Sequence, residues 1–85
     1  MEVYVGKTGL SKTFQADFKA EVKCPHCKGG IARIGFVARE DGGKLMCDLH
    51  PNDFDDEKGW LHDVCAVAFY ICGKCFAGIV EWNQS

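Results

Sequence analysis

All six cysteines of this chain and two of its three histidines fall into four pairs whose members are separated by two residues: Cys24/Cys27, Cys47/His50, His62/Cys65 and Cys72/Cys75. Zinc takes thiolates and imidazoles in tetrahedral sets of four, and a two-residue spacer lets one tight turn aim two of them at a single ion. Eight such residues would hold two ions. A scaffold of three disulfides is the competing reading. The N-terminal residues carry no leader pattern, however, so the chain is expected in the reducing cytoplasm, where paired cysteines serve as ligands rather than bridges.

The two outer pairs have the more specific surroundings. In Cys24-Pro25-His26-Cys27-Lys28-Gly29-Gly30 the proline presets a turn, and the glycines permit the positive φ that turns backbone amides toward thiolate sulfur. Cys72-Gly73-Lys74-Cys75 can do the same, and Lys28 and Lys74 offset part of the charge of a four-thiolate site. His26 is expected to face solvent. The inner pairs mix Cys with His, a less specific signal, and Cys65 on an apolar stretch also suits a small buried hydrophobe.

These turns need elements to carry them. Residues 14–22 alternate Phe14, Ala16, Phe18, Ala20 and Val22 with polar neighbours, which predicts a half-buried strand leading into Cys24. Residues 1–5 suit a short strand, and residues 1–13 an N-terminal extension. Residues 31–40 predict another strand, with Ala32, Ile34, Phe36 and Ala38 on one face. Asp41-Gly42-Gly43 predicts a hairpin turn that returns residues 44–49 antiparallel to that strand. Residues 60–71 fit helical and strand spacing alike, and the Val, Phe, Tyr and Ile of their second half favour strand. Residues 76–82 predict a last strand. The expected fold is one mostly β domain over residues 1–85.

With both Cys-x-x-Cys turns set between expected strands, the chain resembles the zinc ribbon, a small β-module in which two such knuckles clamp one structural zinc between antiparallel hairpins. The resemblance spans residues 20–82 in architecture and the two Cys pairs in motif. It implies that Cys24, Cys27, Cys72 and Cys75 share one ion. The chain departs from the pattern at Lys28 and Phe76, which stand where these knuckles often carry glycine.

Reach along the backbone chooses how the other ligands combine. If residues 60–71 are extended, the seven steps from Cys65 to Cys72 span about 23 Å, too far for both to touch one ion; a helix would shorten the span to about 10 Å. The strand reading therefore excludes joining neighbouring pairs and leaves two arrangements, alternate pairs crossed or outer with outer. The hairpin at 41–43 folds Cys47 back to a distance from the knuckles similar to that of Cys65, which favours the second and with it a second ion on Cys47, His50, His62 and Cys65.

Charge and composition narrow the function. The chain has 85 residues, is 47% hydrophobic and carries a net charge of −2, with acidic residues crowded between positions 48 and 63. Such a chain folds, repels phosphate rather than attracting it, and at this size needs a staple beyond its core. No apolar run approaches the roughly 20 residues of a membrane span. The favoured expectation is a non-catalytic zinc module that binds another protein through the acidic segment 53–63. The alternatives are a nucleic-acid-binding zinc ribbon of transcription or RNA machinery, for which Arg33 and Arg39 on one strand face make a thin surface, and a rubredoxin-like carrier with iron on the same thiolates.

Overall fold

The structure is a computed structural model that describes residues 1–40 and 64–84. The described residues form five strands: β1 (Glu2–Val5), β2 (Glu21–Lys23), β3 (Ile31–Arg39), β4 (Cys65–Cys72) and β5 (Gly78–Gln84). They make one antiparallel sheet in the order β1-β3-β4-β5, with β2 beside β1 on the same edge of β3. A 3₁₀ turn at Gly6–Gly9 follows β1, and the described residues contain no α-helix. No helix among them is long and apolar enough to cross a membrane.

The mostly antiparallel β fold expected from the sequence is the fold observed, and the ambiguous stretch is strand from Cys65 onward. The return strand at residues 44–49 lies outside the described residues. β3 carries β1 and β2 along one edge and β4 along the other.

Two expectations need correction. Of the stretch 14–22 only Glu21 and Val22 join the sheet, in a strand that runs on to Lys23. Residues 10–20 instead cross one sheet face as a strap, with Phe18 buried and Leu10 and Phe14 packed on the core. Its backbone bonds run elsewhere, from Phe18 N–H to the Leu10 carbonyl and from Ile34 N–H to the Ala20 carbonyl, while the Tyr70 hydroxyl donates to the Lys19 carbonyl at 2.7 Å. Alternation here marks an amphipathic extended chain, and the ladder partner that would make it a strand is supplied only at its end.

The second correction is a register shift between Ile34 and Phe36. One added residue at a bulge flips every side chain beyond it. Ala32 and Ile34 therefore share the strap's face with Val37, while Phe36 and Ala38 point the other way. The same flip parts the arginines. Arg33 pairs with Glu21 at 3.3 Å, and the Arg39 guanidinium lies over the Phe14 ring on the opposite face.

The core under the strap consists of Phe18, Cys24, Ala32, Val37, Ala66, Ala68, Tyr70 and Cys72. Three of these are alanines, which lets the strap sit close to the sheet but leaves little apolar bulk. The other face holds Cys65, Val67 and Phe69, with the Phe36 and Phe69 rings stacked at 4.5 Å. Around them Val3, Val5, Ile71, Val80 and Trp82 stay exposed.

Candidate metal centre

Hydrogen bonds close each knuckle before any metal is considered. Cys24 N–H donates to the Gly30 carbonyl and Cys72 N–H to the Ala77 carbonyl, both at 3.0 Å, so each loop is cinched at its first cysteine. Gly73 N–H reaches the Ile31 carbonyl at 3.1 Å, joining the second knuckle to the start of β3. The Lys74 ammonium donates to the Lys28 carbonyl at 2.7 Å, a direct tie between the knuckles.

The four sulfurs of Cys24, Cys27, Cys72 and Cys75 all lie within 4.8 Å of one another. The Cys24–Cys75 and Cys27–Cys72 contacts are each 3.7 Å. At a metal–sulfur bond of about 2.3 Å, tetrahedral geometry separates neighbouring sulfurs by roughly 3.8 Å. Disulfide sulfurs would stand about 2.05 Å apart, and these cysteines are free. The set closes around a volume that suits one four-coordinate ion.

Backbone amides prepare the thiolates unequally. Those of Lys74 and Cys75 point at Cys72 Sγ at 3.3 and 3.4 Å, and that of His26 at Cys24 Sγ at 3.3 Å. The Cys75 and Lys74 amides hold the Cys72 thiol well below its ordinary value of 9.0, at about 6. Burial, with help from the surrounding cysteine side chains, pushes the Cys27 thiol up to about 12.

Gly30 has a role that the sequence reading placed elsewhere. Its φ is not positive; Gly29 has that geometry, at 78°. A methyl group on Gly30 would stand 2.5 Å from Cys27 Sγ and 2.6 Å from Cys72 Sγ, so the backbone here is one wall of the sulfur cluster. Such close approach leaves no periodicity or spacing to read.

The second knuckle shows how the departure at Phe76 is accommodated. Phe76 has φ 61°, its amide donates to the Cys72 carbonyl at 3.0 Å, and its side chain is 78% exposed. A non-glycine residue in the left-handed region is disfavoured by about 1–2 kcal/mol, and little packing offsets it here. Phe76→Gly is expected to stabilise the protein by up to about 1 kcal/mol after the unfolded-state entropy of glycine is allowed for. Thermal melts of the two proteins would show this, and a lower melting temperature for the glycine variant would contradict it.

Cys65 stands apart from the four-sulfur set, at the far end of β4 from Cys72. It is fully buried, and its thiol donates to a carboxylate oxygen of Glu40, itself 2% exposed. The Glu40 amide returns a bond to the Cys65 carbonyl at 2.9 Å. Sequence reasoning missed Glu40, which looked like the polar end of a strand. Cys47, His50 and His62 lie outside the described residues.

The chain matches no protein-family model, no curated protein and no solved structure. The four-cysteine geometry is consistent with a zinc-ribbon-like module on the chain's own evidence.

Proposed function

We propose that this chain is a small non-catalytic zinc protein of the zinc-ribbon type, in which one ion on Cys24, Cys27, Cys72 and Cys75 fastens two hairpins and the surface binds another protein. The observation that supports it is the near-tetrahedral sulfur set. Four thiolates fill zinc's coordination and leave no position for a reacting water, which favours a structural ion over a catalytic one. The acidic segment 53–63 is the proposed contact for a basic partner; binding that survives neutralising its carboxylates would remove that contact.

Native mass spectrometry of protein purified without chelator is the test. One zinc per chain is expected from the outer cysteines, and a second zinc would assign Cys47, His50, His62 and Cys65 as a further site. A chain without metal would overturn the proposal. A coloured protein with thiolate-to-iron absorption would replace zinc by iron on the same ligands.

A further inference from the structure

We propose that the outer edge of β5 is a strand-addition site for an extended peptide whose alternate residues are apolar and basic. Among the described residues β5 is hydrogen-bonded only to β4, so along Gly78–Asn83 every second residue turns its N–H and C=O away from that partner. Among the described residues, no backbone hydrogen bond joins the strap to that edge. The strap is pinned near it by the Asn83 side chain, which accepts from Phe14 N–H at 3.2 Å and donates to Thr13 Oγ1 at 2.8 Å. Elsewhere it stands off.

The space left between them is a groove of about 940 Å³ along residues 15–23 on one side and 80–83 on the other. Val80 and Trp82 line it together with Glu81 and Asn83. These pairs point to opposite faces of the sheet, so the wall is the strand's edge itself. A strand takes up about 4.8 Å between neighbours and about 10 Å through the sheet, and five residues run about 17 Å, a volume of roughly 800 Å³. The groove is open to solvent and has room for one extended strand.

The pleat of β5 sets the chemistry of the occupant. On one side Val80 and Trp82 are 52% and 48% exposed. They continue two apolar rows, Val5–Phe36–Phe69–Val80 and Val3–Ala38–Val67–Trp82. Incoming residues on that side would be apolar. On the other side β5 presents Glu81; the facing wall is of mixed charge, Asp17 and Glu21 with Lys19 and Lys23, so Glu81 sets the preference at the position beside it. A cross-strand neighbour sits about 5 Å away and gains from opposite charge, so lysine or arginine is expected opposite Glu81. Main-chain bonds would provide affinity and this alternation selectivity.

This inference rests on the interaction-module reading and adds where a partner docks. The test uses the full 85-residue chain as purified, isotope-labelled, and a decapeptide of alternating valine and lysine. Amide shifts are expected in β5 and residues 15–19. A peptide with a central proline, which cannot complete the ladder, should not bind. Glu81→Lys, an exposed change, should weaken valine–lysine binding about two- to five-fold and favour a valine–glutamate peptide in its place. Absence of shifts at millimolar peptide, shifts centred on Val3, Val5 and Phe36, equal binding of the proline peptide, or indifference to Glu81→Lys would each overturn the proposal. Metal content is read on the same sample. A chain that holds its ion and ignores the peptide overturns strand addition alone, and one that takes the peptide without metal overturns the zinc reading alone.

Discussion

Stripping the metal with a strong chelator is expected to unfold this protein, with loss of the β signal in circular dichroism and its recovery when zinc is returned. The reason lies in how little else closes the described core. Its largest fully buried side chains are Tyr70, Val37, Cys65 and Cys72, and two of those are thiols. Ala32, Ala66 and Ala68 contribute one methyl group each to the same interior. A buried methylene-sized group is worth about 0.8 kcal/mol. Structural zinc on thiolates contributes on the order of 10 kcal/mol, as large as the net stability of a whole domain. Without the ion, the two knuckles are joined by hydrogen bonds such as that from the Lys74 ammonium to the Lys28 carbonyl, each worth about 1 kcal/mol net. Retention of the native spectrum after verified removal of all metal would defeat the structural role assigned to it.

Gly30→Ala is expected to abolish metal binding, or to weaken it by at least about a hundred-fold, and to destabilise the chain by about 3 kcal/mol or more. The added methyl would meet two ligand sulfurs at 2.5 and 2.6 Å and the Cys24 Cβ at 3.3 Å. Ordinary contacts begin near 3.5 Å, so the knuckle must move by about an ångström, and the sulfurs with it. Gly29→Ala is the matched control. Its methyl would find open space, 3.7 Å from the Lys74 ammonium, and its cost is the backbone strain of φ 78°, about 1–2 kcal/mol. The control should keep its metal at lower stability. Equal metal affinity in the two variants would show that Gly30 is not a wall of the site.

Particular residues show what a sequence of this kind discloses. The resemblance of the two Cys-x-x-Cys turns to zinc-ribbon knuckles implies the outer set that the structure brings together. An extended 65–72 stretch adds only that Cys65 and Cys72 cannot share an ion, because strand length is a distance that ligand bonds cannot span. β4 was legible from its β-branched and aromatic run, and β3 and β5 from alternation along the chain. Residues 14–20 were not, since alternation reports which side chains seek burial and is silent on whether a neighbouring backbone is there to pair. The bulge before Phe36 hid for a related reason: Gly35 looks like any strand glycine until the ladder shows its register slipping. Glu40 and Gly30 were invisible because their importance is a contact across space, with a thiol in one case and with two ligand sulfurs in the other.

The sulfur pairs that meet in the centre are 51 and 45 residues apart along the chain. Either knuckle alone can offer an ion only two ligands. The other two arrive when β4 has found β3 in register, which sets Cys72 opposite Ala32. Full coordination thus requires a non-local pairing, that of β3 with β4, and closing so long a loop is slow but adds little to the entropic cost beyond that of a shorter one. If the proposed ion is held, its occupancy would record that the sheet has been assembled correctly, and a change that slips β4 against β3 would be read first as an ion that fails to stay.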